Sequence, residues 1–145
     1  MSEWKFDIIR AMLSLSRKLE RVTNREFRKI GTTTSQGKVL MYLHLSAGKH
    51  DVYQRNLEEE LGIRAPSVTG LLCQLERKGL VERHSVPEDA RRKKITITAP
   101  GQALLAELLT VRQRLIQHLQ GKLTHEELAA FFKTCDAIAK FAGEL

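Results

Sequence analysis

Apolar residues recur along this 145-residue chain at two spacings, which predict a mainly α-helical fold with one small β-hairpin. In the first segment they step by three or four positions, as expected for one face of a helix. The members of this stripe are Trp4, Ile8, Met12, Leu15, Leu19 and Val22. Because a single helix cannot bury such a stripe alone, the first helix needs packing partners.

Helix-start signals divide the segment that follows "GTTTSQG". Thr33 with Gln36, and Asp51 with Gln54, match the capping-box spacing and predict the starts of a second and a third helix. Gly62 predicts the end of the third helix, as a glycine in the left-handed conformation. The apolar residues of these two helices are Val39, Leu40, Leu43, Leu57 and Leu61.

A fourth helix and a hairpin complete the middle of the chain. Pro66 suits the first turn of a helix, and Gly79 suits its end. The apolar stripe of this helix is Val68, Leu71, Leu72 and Leu75. Residues 80–84, "LVERH", and residues 94–98, "KITIT", are predicted to form two short strands, and the second alternates apolar with polar from Ile95 to Thr98. The loop between them is predicted to have about eight residues, longer than most hairpin loops.

Two further helices are predicted at the carboxyl end. Pro100 and Gly101 interrupt the chain before the fifth helix, whose apolar face would be Leu104, Leu108, Val111, Leu115 and Leu119. Gly121 ends it. Thr124 with Glu127 forms a third capping-box match. The sixth helix would present Leu128, Phe131, Phe132, Cys135, Ile138 and Phe141 on one face.

The third and fourth helices, joined by the short turn at 62–65, fit a helix-turn-helix, whose second helix enters the major groove of DNA. A projection of the fourth helix at 100° per residue leaves one small, polar or basic face. We expect DNA contacts from Pro66, Ser67, Thr69, Gly70, Cys73, Gln74 and Arg77. Glutamine can pair with adenine and arginine with guanine. The alternative is an ordinary solvated helix face.

The net charge of +7 favours a polyanionic partner, with nucleic acid first. Four adjacent basic residues, Arg91, Arg92, Lys93 and Lys94, precede the second strand, and DNA phosphates would compensate their repulsion. A loop that carries them could reach a minor groove, where A·T tracts attract arginine. We expect Glu88 or Asp89 to hold a guanidinium by a bidentate pair. The alternative is a solvated turn that aids solubility.

The segment "NLEEELGIRAPSVTGLLCQLERKGLVERHSVPEDARRKKITITAPGQAL" resembles the MarR family of bacterial transcriptional regulators. The resemblance extends to the flanking helices. It implies a winged helix-turn-helix homodimer in which Arg91 enters the minor groove and Asp89 orients the hairpin, called the wing. It also implies an effector pocket between the dimer-forming helices and the DNA-binding lobe. Arg64 and Ala65 depart from the family, which often has a small polar residue at the start of this helix.

Other chemistry has less support. We find no catalytic motif and expect no enzyme activity, no cofactor and no metal, although His118, His125 and Cys135 offer a remote metal-site alternative. Cys135 is interpreted as a core cysteine. Cys73 is interpreted as a small residue facing DNA, with a redox switch as the alternative. Without a signal peptide or an apolar span, we expect a cytoplasmic protein with no membrane partner.

These observations predict one MarR-type unit over 1–145. Residues 33–98 would form the DNA-binding lobe, and residues 1–30 and 100–145 would form a helical dimerisation layer. The predicted function is a sequence-specific repressor that binds a palindromic site in double-stranded DNA as a homodimer and is released by a small-molecule effector. The alternatives are a winged-helix module for protein or RNA contacts and an enzyme with an unrecognised site.

Overall fold

The computed structural model describes residues 7–144, so the expected place of Trp4 on the first helix lies outside the described residues. The described chain forms six helices and one hairpin, which confirms the predicted fold class. In order they are α1 (Ile8–Arg28), α2 (Thr34–Ser46), α3 (Gln54–Leu61), α4 (Ala65–Arg77), β1 (Val81–Val86), β2 (Asp89–Ile97), α5 (Ala99–Gln120) and α6 (His125–Gly143).

The chain divides after Val111 into two compact units. The first contains α1 to α4, the hairpin and the amino-terminal part of α5. Its core combines helix and strand side chains, and the members buried to 2% exposure or less include Val39, Leu40, Leu57, Val68, Leu72, Leu75, Val81, Ile95 and Leu105. Each such side chain stabilises the fold by about 1.5–3 kcal/mol relative to exposure.

The predicted cap of α2 is present, but only in part. The Thr33 hydroxyl accepts a hydrogen bond from the Gln36 backbone amide at 3.2 Å. The Gln36 side chain does not return to Thr33, as a full capping box requires, because it is buried and bonded to Thr32, Gln74 and Lys78. This side chain therefore belongs to tertiary packing rather than to the helix cap.

The predicted cap of α3 at Asp51 is wrong. The helix begins two residues later than that cap requires, with Tyr53 as the N-cap residue. The Tyr53 amide donates to Asn56 Oδ1 at 2.8 Å. The Asp51 carboxylate is drawn instead to the Lys94 ammonium group, 2.9 Å away on β2. At the other end, Gly62 has a φ of +62° and terminates α3 as predicted.

The prediction of a long hairpin loop is also wrong. The two strands pair antiparallel from Val81↔Ile97 to Ser85↔Lys93, and a bulge after Ser85 brings Val86 opposite Asp89. Only Pro87 and Glu88 separate the strands. Polar residues occupy both faces of the paired outer segment, so it lacks the apolar alternation by which a strand is recognised from sequence. An isolated bridge between Tyr53 and Lys94 adds a further backbone segment to β2.

Helix α5 begins earlier than the predicted break at Pro100 and Gly101, and both residues lie in its first turn. The Thr98 hydroxyl accepts from the Gly101 amide at 3.1 Å and donates to the Gly79 carbonyl at 2.6 Å. Gly101 is buried, and a β-carbon at this position would overlap the Leu80 carbonyl oxygen. Leu105, rather than the predicted Leu104, is the fully buried leucine of this turn.

The second unit contains the rest of α5 and helix α6. The predicted capping box is confirmed: the Glu127 amide donates to Thr124 Oγ1 at 3.1 Å, and the Thr124 amide donates to Glu127 Oε2 at 2.8 Å. No residue of α6 is buried. Cys135, expected in a core, is exposed in the single chain. On the same face Phe131, Phe132 and Phe141 are also exposed, whereas Leu128 and Ile138 are partly buried.

Candidate nucleic-acid interface

Helices α3 and α4 form a helix-turn-helix. The left-handed Gly62 reverses the chain after α3, and α4 starts at Ala65. Gln54 joins the two helices, because its Nε2 atom donates to the Ala65 carbonyl at 3.2 Å and to Thr69 Oγ1 at 2.9 Å. Arg64 is the N-cap residue of α4 and provides no side-chain cap. The start of α4 is therefore held by α3 rather than by a cap of its own.

Burial of one side of α4 leaves the other side accessible. Val68, Leu72 and Leu75 are fully buried, whereas Leu71 is only partly buried. Six of the seven α4 residues predicted to contact DNA are exposed: Pro66, Ser67, Thr69, Gly70, Gln74 and Arg77. The seventh, Cys73, is partly buried. The structure thus brings the predicted residues to one helix, with the Cys73 thiol less accessible than its neighbours.

Arg83 on β1 contacts Cys73 and neutralises Glu76, both on α4. Its Nε and Nη2 atoms each lie 3.0 Å from a Glu76 carboxylate oxygen, and Nη2 is 3.9 Å from Cys73 Sγ. The hydrogen bond from Arg83 lowers the pKa of Glu76, and the same pair raises the pKa of Arg83. This bidentate pair connects the hairpin to α4. Sequence reasoning missed it, since Glu76 lies on a helix and Arg83 on a strand, and no single periodicity relates positions on two different elements.

Two of the four adjacent basic residues are compensated inside the fold. Side chains alternate along a strand, so Arg92 and Lys94 project from the same face of β2. The Arg92 guanidinium carbon lies 3.9 Å from the centroid of the Tyr53 ring, within the range of a cation–π contact. The Lys94 ammonium group lies 2.9 Å from Asp51. Both partners belong to the segment that enters α3.

The other two basic residues differ from each other. Lys93 Nζ donates to Ser85 Oγ at 2.8 Å across the hairpin. The Arg91 backbone amide donates to Asp89 Oδ1 at 2.9 Å, but its guanidinium has no hydrogen bond or ion pair with any residue from 7 to 144. The predicted bidentate pair from Glu88 or Asp89 to a guanidinium is wrong, because Asp89 accepts from backbone instead. Arg91 is the basic side chain of the run left available to an external anion.

The comparisons with known proteins agree with this geometry. A family model described as "MarR family" matches residues 30–92. The HTH-type transcriptional repressor YetL of Bacillus subtilis is 28% identical over 127 residues, which cover 88% of this chain and 75% of that protein. The S. aureus MepR–DNA complex is similar at 25% identity, with a TM-score of 0.81 over 97% of this chain and all of that one.

Residues 30–92, which include α2 to α4 and part of the hairpin, thus match the MarR family. This match confirms the resemblance seen in the sequence, and the chain has the winged-helix fold of the MarR structures. An E. coli MarR variant complexed with operator DNA is 26% identical to this chain, with a TM-score of 0.75. That match covers 89% of this chain and 91% of the E. coli chain. Within residues 7–144, no helix is long and apolar enough to span a bilayer.

A second polar network in this protein was not predicted from the sequence. It joins the turn between α1 and α2 to helix α4. Lys78, at the C-cap of α4, donates to the Gly31 carbonyl at 2.8 Å and to Gln36 Oε1 at 3.0 Å. Gln36 Nε2 then donates to Gln74 Oε1 at 3.1 Å. The only sequence signal was a glutamine inside the apolar pattern of α2.

Proposed function

We propose that this MarR-family regulator is a repressor that binds double-stranded DNA in a sequence-specific manner. Helix α4 lies in the major groove, and the hairpin carries Arg91 into an adjacent minor groove. The observation that carries the proposal is the free Arg91 guanidinium beside three basic neighbours that already have partners. A cation on β2 at the bulge of the hairpin, without an internal anion, suits a narrow and strongly negative groove.

The roles of the basic residues follow from their partners. Arg91 senses the groove, whereas Arg92, Lys93 and Lys94 add mainly phosphate attraction. Asp89 positions Arg91 through its backbone amide. On α4, the exposed residues from Pro66 to Arg77 face the bases and the phosphates. The neutralised Glu76 lowers the electrostatic cost of bringing this helix to DNA.

We further propose that the regulator acts as a homodimer through residues 1–30 and 100–145, with residues 33–98 as the DNA-binding lobe. The support is the exposed apolar surface on helices outside that lobe. On α1 it includes Ile8, Ile9, Met12, Leu13, Leu15 and Leu19, and on α6 it includes Phe131, Phe132 and Phe141. A two-fold dimer would recognise a palindrome with half-sites about one helical turn, roughly 10 bp, apart.

Release of the DNA by a small-molecule effector completes the proposal. A ligand that binds the non-binding conformation more tightly shifts the population away from DNA. The family resemblance supports this step. A regulator that binds bacterial operators works in the cytoplasm, where the chromosome lies.

The test compares Arg91→Ala with the full-length wild type on random-sequence duplexes and on duplexes selected from a random library, across a salt series. Loss of one charged contact to DNA should reduce the slope of log affinity against log salt concentration by about one unit. The binding free energy should weaken by about 1–3 kcal/mol. Lys94→Ala is the matched control. Its effect should be smaller, because Asp51 already pairs with that ammonium group.

Equal affinities of Arg91→Ala and the wild type on both kinds of duplex, with unchanged circular dichroism, would contradict the proposal for the wing. A wild-type protein that enriches no sequence from the library would contradict sequence-specific binding. In that case a module for protein or RNA contacts becomes the better interpretation.

A further inference from the structure

We infer that Lys78 and Gln36 orient the Gln74 amide so that Gln74 reads guanine as a hydrogen-bond donor, rather than adenine through both of its amide atoms. This inference rests on the proposed DNA binding and adds a specificity-determining role for two residues, Gln36 and Lys78, that need not touch DNA. It also revises the expectation, drawn from the sequence, that a glutamine on α4 pairs with adenine.

The orientation begins at Lys78. An ammonium group has only donors, so the atom of Gln36 that lies 3.0 Å from Lys78 Nζ must be the carbonyl oxygen. The Thr32 hydroxyl donates to the same oxygen at 3.2 Å. Gln36 is only 4% exposed and Thr32 only 2%, so the arrangement is enclosed by protein. The amide of Gln36 therefore has one allowed orientation.

The orientation of Gln36 in turn fixes the orientation of the Gln74 amide. With its oxygen directed at Lys78, Gln36 presents Nε2 to Gln74, and an NH2 group requires an acceptor. The atom of Gln74 at 3.1 Å is accordingly Oε1. Within residues 7–144, Gln74 Nε2 has no hydrogen-bond partner, and the Gln74 side chain lies on the exposed side of α4. The group left for a base is a donor.

Base chemistry then predicts the preference. The major-groove edge of guanine presents two acceptors, N7 and O6, whereas cytosine presents a donor. To recognise adenine with both amide atoms, Gln74 Oε1 would have to accept from adenine N6 while it also accepts from Gln36 Nε2. Guanine offers two acceptors to Nε2 without any change in the network. Adenine offers only N7, beside its N6 donor, and thymine offers only O4, so guanine is preferred.

The test is selection from a randomised duplex library with the full-length protein. Gln74→Ala identifies the position that Gln74 reads, because the preference there should disappear. At this position the wild type should favour guanine over cytosine by about fivefold, the effect of one net hydrogen bond. Gln36→Glu should invert this preference. A carboxylate keeps Lys78 but cannot donate, so Gln74 turns its Nε2 inward and presents Oε1 to the N4 amino group of cytosine.

Two further variants control the experiment. Gln102→Glu introduces the same charge change in the first turn of α5, outside this network, and should keep the wild-type preference. Lys78→Met removes the donor that fixes the Gln36 amide. Because Lys78 is exposed, this variant should fold even if Gln36→Glu does not. It should broaden the base preference at the Gln74 position and leave the other positions unchanged.

The outcomes separate the two proposals. The proposed orientation of Gln74 is supported if Gln36→Glu inverts the base preference at the Gln74 position. It is also supported if Lys78→Met broadens the preference at that position alone. Three outcomes overturn the proposed orientation of Gln74 while DNA recognition stands. The wild type selects adenine at the Gln74 position, or both variants keep the wild-type preference, or Gln74→Ala leaves the selection unchanged. A wild type that enriches no sequence overturns both.

Discussion

At the residue scale, the candidate interface is organised by charges that have partners and charges that do not. Glu76 lies on the helix proposed to face DNA, where an uncompensated carboxylate would repel phosphates. Arg83 neutralises it from the hairpin by two contacts of 3.0 Å. The same pair holds the hairpin against α4, so one interaction affects both the local charge and the position of the wing.

The Glu76–Arg83 pair makes part of the stability depend on pH. The pKa of Glu76 is lowered from its usual value of 4.5. Its contribution is therefore fully present above pH 4.5 and is lost as the pH falls through the lower folded-state pKa. Urea unfolding should show Glu76→Gln to be less stable than the wild type at pH 7, by about 1 kcal/mol or less because the pair is partly exposed. At pH 3 the difference should shrink.

Glu60→Gln provides the matched control, since Glu60 is exposed and has no ion pair with the described residues. Its stability difference from the wild type should vary less with pH. A Glu76→Gln difference that stays constant from pH 7 to pH 3 would show that the ion pair contributes nothing to folding.

At the element scale, the hairpin and α5 depend on a close crossing at Gly101. A β-carbon at this position would overlap the Leu80 carbonyl oxygen and the Ile97 side chain. Backbone cannot yield as a flexible side chain can. The lack of a side chain at Gly101 thus lets α5 start directly after β2, where Thr98 caps it.

Gly101→Ala should therefore destabilise the protein by about 1–3 kcal/mol, the usual range for overpacking. The matched substitution is Gly70→Ala on α4, where an added β-carbon meets no atom within 4 Å. It should instead stabilise the helix by about 0.5–1 kcal/mol. Chemical denaturation of both variants measures the two effects. If Gly101→Ala is as stable as the wild type, the backbone around Gly101 relaxes without cost.

At the scale of the whole molecule, the exposed apolar surface of the single chain supports the proposed homodimer. Phe131 and Phe132 are each 53% exposed on α6, and their rings contact each other at 5.5 Å between centroids. Ile9 on α1 is 68% exposed. Contiguous exposed apolar patches on soluble proteins typically mark interaction sites.

Sedimentation velocity should accordingly show a dimer at micromolar concentration. Phe131→Glu should shift it towards monomer, because a carboxylate would be buried without a partner in the interface. Lys133→Glu, two residues along the same helix and also exposed, should have a smaller effect. A wild type that sediments as a stable monomer would contradict the homodimer, and circular dichroism would check that each variant keeps its helices.

The sequence alone was sufficient for the features that depend on residues close together in the chain. Caps and helix ends form within about four residues, so Thr33, Gly62 and Thr124 could be assigned their roles directly. The apolar stripe of α4 likewise defined its exposed side. The resemblance to the MarR family then added the architecture as a whole.

Tertiary structure decided which polar groups are free. The repulsion within the basic run at 91–94 is relieved partly by Asp51 and Tyr53, which lie about forty residues earlier. Gln74 is oriented by Gln36, on another helix. Hydrogen bonds and ion pairs form between groups that folding brings together, and their spacing along the chain follows no period. The identity of the unpaired cation, Arg91, and of the free amide group on Gln74 therefore came only from the folded chain.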